Sequence, residues 1–190
     1  MSASPDTAVF FSALSIPKWL QQKVEAMQDV RLPTLEERLA FVHGLAEQNV
    51  REGTGSPFGA AVFDAQTHQL LGVGVNQVVQ SGQSSAHAEM LAIAAVQHRF
   101  HRRQLPACEL VSSCEPCAMC TGGFLWSNIQ TLVYGEPGTT ACTIGFDEGD
   151  KPADWAALLR QRGRQILGPF PSEAGKIPFA LYKAAHGKIY

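Results

Sequence analysis

The chain has 190 residues, 45% of them hydrophobic, which fits one soluble globular domain built around one core. A formal net charge of -2 supplies no general positive field for a phosphate backbone, so a small neutral substrate is favoured over nucleic acid. The apolar patch from Val9 to Leu14 lacks a basic leader and is far shorter than the roughly 20 residues that cross a bilayer, so the expectation is a cytoplasmic protein with no membrane partner.

Residues 1–33 read as a peripheral extension with Pro5, Pro17 and an amphipathic stretch from Pro17 to Met27 that predicts a helix. From Thr34 the signal sharpens. Thr34 followed by Glu37 is a capping box, and Leu35, Leu39, Val42, Leu45, Ala46 and Asn49 share one helical face, which ends near Gly53. After the loop from Gly53 to Pro57, Gly59 to Asp64 and Leu70 to Asn76 predict two strands of a hairpin. Polar Gln80 to Ser85 leads into a helix from about His87 to Phe100, and Cys108 to Ser113 reads as a strand. Pro116 fits the first position of a short helix running to about Ser127, because its missing N–H costs nothing there. A strand at Thr131 to Gly135, a helix at Pro152 to Gly163, an edge strand at Arg164 to Leu167 and a last helix at Ser172 to Ala185 complete the order. Such an order predicts a single three-layer α/β/α domain over residues 1–190, with helices on both faces of a central mixed sheet.

Five cysteines, three of them within Cys114 to Cys120, do not make a disulfide framework; clustered thiols read as metal ligands or reactive groups. Cys108 and Cys142 stand apart and are expected to be buried small hydrophobes.

The chemistry is concentrated in His87-Ala-Glu89 and Pro116-Cys117-Ala-Met-Cys120. One imidazole and two thiolates suit zinc, and three protein ligands leave a fourth position for water, as a catalytic site requires. The positive end of a helix beginning near Cys117 favours thiolates. Residues two apart do not share a helix face, so His87 and Glu89 can cooperate only if the metal lies off the N-terminal end of their helix. Alone, an H-x-E is a common accident on a surface helix, and a C-x-x-C is equally a structural zinc site or a redox pair. In this order, with proline before the first cysteine, they form the known signature of zinc-dependent deaminases, in which the glutamate is a general acid and base and not a ligand. Cys114 creates a second, overlapping C-x-x-C register; Cys117 and Cys120 are preferred because Pro116 places Cys117 in the first helical turn, while Cys114 falls at a strand end.

Over roughly residues 34 to 190 the sequence resembles the guanine deaminase branch of the cytidine deaminase superfamily. The matching stretches are Pro57-Phe-Gly-Ala60, Gly74-Val-Asn76, Ala86-His-Ala-Glu89, Ser113-Cys-Glu-Pro-Cys-Ala-Met-Cys120, Gly145-Phe-Asp-Glu148 and Tyr190. The resemblance implies a cytidine-deaminase-like fold, one zinc per subunit held by His87, Cys117 and Cys120, and hydrolysis of guanine to xanthine and ammonia. It implies that Asn76 binds the purine, that Glu148 joins Glu89 in moving protons, and that Tyr190 closes the neighbouring subunit's site through an exchanged C-terminal segment of a homodimer. Phe58, Trp126 and Phe146 are candidate walls for a flat base, although aromatic side chains at such positions are more often simply core. Many relatives carry aspartate where Glu148 stands, which bears on the reach of the pocket, and longer relatives suggest ammeline as a further substrate. The competing readings are a tRNA adenosine or other nucleobase or nucleoside deaminase, and a zinc-stabilised binding module without activity. His98, Arg99, His101, Arg102 and Arg103 form a basic cluster, read as a solvated, dipole-matched helix end before a nucleic-acid patch.

Overall fold

The structure, a computed structural model, describes residues 16–27 and 29–190. Much of the peripheral extension, including the Val9 to Leu14 patch, therefore lies outside the described residues. Its described part is more than a loose arm. Helix α1 (Lys18–Ala26) buries Leu20 beside Leu45 and Val75, and the Trp19 indole N–H donates to Thr54 Oγ1 at 2.9 Å.

Helix α2 (Leu35–Arg51) starts at the anticipated capping box: the Glu37 N–H donates to Thr34 Oγ1, and the Thr34 N–H donates back to the Glu37 carboxylate. Such a cap contributes about 1 kcal/mol. Strands β1 (Gly59–Asp64) and β2 (Leu70–Val75) pair antiparallel as a hairpin. A four-residue helix, α3 (Val78–Ser81), follows, then α4 (Ala88–Phe100), β3 (Cys108–Cys114), α5 (Ala118–Trp126) and β4 (Thr131–Glu136). The chain continues through α6 (Gly138–Cys142), α7 (Trp155–Gln161), β5 (Gln165–Leu167) and α8 (Glu173–Ala184).

The strands form one mixed sheet in the order β2-β1-β3-β4-β5, with β1 antiparallel to both of its neighbours and β3, β4 and β5 parallel. Alternation along each strand splits the core in two. Ala60, Val62, Leu110 and Leu132 point to the side covered by α4, α5 and α7, where Val96, Phe124 and Trp155 meet them. Ala61, Phe63, Val111 and Val133 point to the side covered by α2, against Leu39 and Val42. Helices therefore lie on both faces, as the order of elements predicted. Burying each of these large side chains stabilises the fold by about 1.5–3 kcal/mol.

Two close approaches set the stage for the site. At Gly74 any side chain would run into the Ala88 carbonyl, so only glycine lets β2 lie against the first turn of α4. At the end of β4, the buried Glu136 carboxylate accepts from the Ser172 N–H at 2.8 Å and from Thr140 Oγ1 at 3.2 Å, which ties α8 to β4 and to α6.

Cys108 is buried as expected, but Cys142 is exposed: it ends the short helix α6, a solvent-facing turn that the sequence pattern did not reveal. Among the described residues no helix is long and apolar enough to cross a membrane.

Candidate active site

Two helix N-termini converge on one point. His87 is the N-cap residue of α4 and Cys117 that of α5, both with extended backbone, so each side chain projects off the start of its helix. The helix after Pro116 begins two residues later than the proline signal suggested, which makes Cys117 a cap and puts Cys120 in the first turn, fully buried. The ligand atoms of His87, Cys117 and Cys120 all lie within 4.8 Å of one another. His87 Nδ1 is 3.5 Å from Cys117 Sγ. Two positive helix ends and three soft donors at this spacing fit a zinc ion.

Cys114 stands outside the group. It is buried, and its thiol donates to the Pro137 carbonyl at 3.7 Å. Burial pushes its pKa well above that of a free thiol, and its sulfur is not among the donor atoms that cluster with His87.

Glu89 lies beside the cluster without joining it. Its carboxylate accepts from Ser112 Oγ at 3.1 Å and from the Cys120 thiol at 3.5 Å. Ser112 comes from β3, so the sheet itself aims the carboxylate; nothing in the sequence pattern marked this serine. Burial raises the Glu89 pKa, and the charge of Cys117 raises it further. Glu148, whose carbonyl accepts from the Ala118 N–H at 3.0 Å, is pushed up to about 8, first by burial and then by the charges of Cys117 and Glu89. For Cys117 the hydrogen bond from Cys120 is the largest influence and, with that from His87, outweighs burial and holds the thiol down to about 4. Cys120 is displaced upward, first by that same hydrogen bond and then by burial. Burial alone would lower the His87 pKa, but the contact with Cys117 and the nearby acids outweigh it. Four acidic groups thus compete for negative charge around one imidazole. A divalent cation would relieve that competition, which is the electrostatic signature of a metal site.

The surrounding residues are placed as follows. Asn76 follows β2 and is 1% exposed; its Oδ1 accepts from the Val78 N–H at 3.1 Å. The Asn49 amide supports it from α2, donating to the carbonyls of Ser56 and Asn76 at 2.9 and 3.0 Å. Phe58 and Phe146 meet edge to face at 4.9 Å, and Tyr190 meets the Phe146 ring at 5.3 Å and the His87 ring at 6.2 Å. Burial pushes the Tyr190 phenol pKa up, only partly offset by hydrogen bonding to Ser56 and Asn76. Phe58, Phe146, Asn76 and Tyr190 are therefore brought together.

The two remaining candidates are Trp126 and Tyr190. Trp126 is 82% exposed at the far end of α5 and walls nothing in this chain. Six residues beyond Cys120, it is rotated by about 240° and lies about 9 Å along the axis, so it leaves the side of the helix that carries the ligand. Tyr190 was expected over a neighbouring subunit's site, but in this chain it lies over the chain's own His87. The turn after α8, with His186 in the left-handed region at φ 52, sends the segment back onto its own domain. Two surface cavities, of about 520 and 550 Å³, lie elsewhere: one between α1, β2 and α4, the other between α2 and residues 169–174.

The model of the cytidine and deoxycytidylate deaminase zinc-binding region matches residues 34–136. The chain is 36% identical over 116 residues to a guanine deaminase of Bacillus subtilis, covering 58% of this chain and 73% of that one. The solved structure of the guanine deaminase from Nitrosomonas europaea is similar with a TM-score of 0.85 and 33% identity, covering 92% of this chain and 97% of that one. The structure of the protein NE0047 in complex with 2,6-diaminopurine is similar with a TM-score of 0.84 and 35% identity, covering 93% of this chain and 94% of that one.

Proposed function

The chain belongs to the cytidine and deoxycytidylate deaminase zinc-binding family, and from that premise we propose that it is a guanine deaminase, converting guanine and water to xanthine and ammonia. The observation that carries the reading is the buried Glu89 carboxylate, beside the three-donor cluster yet committed to Ser112 and Cys120. A structural zinc site has no use for such a group; a hydrolase needs it. The guanine deaminases among the similar proteins support the choice of base.

His87, Cys117 and Cys120 would hold zinc, which lowers the pKa of a coordinated water toward about 7 and so supplies the nucleophile. Glu89 takes a proton from the attacking water and passes it to the ring nitrogen next to the carbon bearing the amine. As the amine departs, Glu89 or Glu148 carries the remaining proton from the newly added hydroxyl to it, so that it leaves as ammonia and the carbon keeps the water's oxygen as a carbonyl. Asn76 hydrogen-bonds the purine and fixes its orientation. Phe58 and Phe146 flank the ring, and Tyr190 covers it, excluding bulk solvent.

Ammonia release from guanine, ammeline, guanosine, cytosine and adenine tests this directly. Guanine is expected to be turned over, with ammeline accepted through its matching amino-amide edge. Asn76→Ala is expected to lower kcat/KM for guanine by about 10- to 100-fold, the loss of one or two hydrogen bonds to the base. Turnover of cytosine or a nucleoside alone would overturn the assignment, as would salt-sensitive binding of tRNA.

We also propose a cytoplasmic homodimer whose C-terminal segments are exchanged, because exchange between two copies remakes the Tyr190 contacts described above. A mixture of Glu89→Gln and Tyr190→Ala chains discriminates. In an exchanged dimer the intact Glu89 of one chain meets the intact Tyr190 of the other, and activity returns on mixing. A monomer by light scattering, or no recovery from the mixed dimer, would remove the exchange.

A further inference from the structure

The segment that carries Tyr190 is built on a single side chain, Tyr182. After α8 the His186 N–H donates to the Lys183 carbonyl at 3.1 Å and the Gly187 N–H to the Tyr182 carbonyl at 2.9 Å, a helix stop that reverses the chain. At Gly187 any side chain would overlap the Tyr182 ring, so the reversed segment lies directly on that ring. The Tyr182 hydroxyl then donates to the Lys188 carbonyl at 2.7 Å. Its oxygen is also 3.2 Å from Ser56 Oγ, on the loop that leads to Phe58. The ring itself stacks on Phe146 at 5.8 Å, and Tyr182 is 7% exposed.

We infer that Tyr182 is a positioning residue: through its hydroxyl it latches the segment 185–190 to the Ser56 loop and so holds Tyr190 over the site. One phenol ties together the cover (Lys188), the substrate loop (Ser56) and the aromatic wall (Phe146). A tyrosine kept only for packing would not need its hydroxyl shared between two partners, one on the Ser56 loop and one on the C-terminal segment. The inference rests on the reading of Tyr190 as the cover of the pocket.

Tyr182→Phe keeps the ring and its stacking while removing both hydroxyl contacts. Tm is expected to fall by no more than about 4 °C. Hydrogen exchange read by mass spectrometry is expected to quicken about 5-fold or more over residues 186–190, with β3 and β4 unchanged. Gly187→Ala, whose methyl would press the segment off the ring while Tyr182 keeps its hydroxyl, is expected to give the same exchange pattern. For turnover, Tyr182→Phe should lower kcat/KM about 10-fold in the otherwise unchanged chain and have no further effect in a Tyr190→Ala background, because both act through one cover. Unchanged exchange in both variants, or additive losses in the double variant, would overturn the latch. If guanine is not turned over, the functional reading fails separately and the exchange data alone decide the latch.

Discussion

Replacing Glu89 with glutamine is expected to reduce kcat by about 10²- to 10⁴-fold, the usual contribution of a positioned general acid and base. Glutamine has nearly the same shape, and its carbonyl oxygen can still accept from Ser112 Oγ, the contact that aims the carboxylate. It cannot shuttle a proton. Because Glu89 is not one of the three clustered donors, zinc content should remain at one per chain. KM should change by only about a few fold, since the loss falls on the transition state and not on ground-state binding. Steady-state kinetics together with metal analysis check this. Retained turnover would show that the proton carrier is another group, with Glu148 the nearest alternative. Loss of zinc along with activity would show instead that Glu89 is needed to build the site.

Replacing Cys120 with serine is expected to remove the metal and, with it, more than about 99% of activity, because a neutral hydroxyl is a poor zinc ligand in place of a thiolate. The fold should survive. Unlike a zinc finger, this chain has an apolar core on both sheet faces to hold it together without metal. Circular dichroism should stay native-like, while Tm drops because zinc no longer adds its binding free energy to the folded state. Cys114→Ser is the matched control. Its thiol is spent on the Pro137 carbonyl, so zinc and turnover should both persist. If Cys114→Ser lost the metal and Cys120→Ser kept it, the ligand register would be the earlier one.

The grouping of His87, Cys117 and Cys120 with Glu89 was legible in the sequence because their positions are local. A cap residue and a residue three on along the same chain are placed by the start of a helix, whatever the rest of the fold does. The sheet was legible for a similar reason: Gly59–Asp64 and Leu70–Val75 are short apolar runs separated by a polar turn, which marks a hairpin, and the longer helices announce themselves by period and caps. Helices α3 and α6, of four and five residues, are too short for any period to register. The helix anticipated from Pro152 starts instead at Trp155. Ser112, Ser56 and Tyr182 were illegible because their roles arise across long separations in sequence: Ser112 meets Glu89 at 23 residues' distance and Ser56 meets Tyr182 at 126. Trp126, close in sequence to Cys120, was read as a candidate wall, and helix geometry turns it away from its own chain's cluster.

X-ray absorption at the zinc edge of the purified protein bears most directly on the whole account. One zinc per chain with two sulfur, one nitrogen and one oxygen ligand is the predicted result, the oxygen being that of exchangeable solvent. A third sulfur, a shell made entirely of protein atoms, or no zinc at all would contradict it.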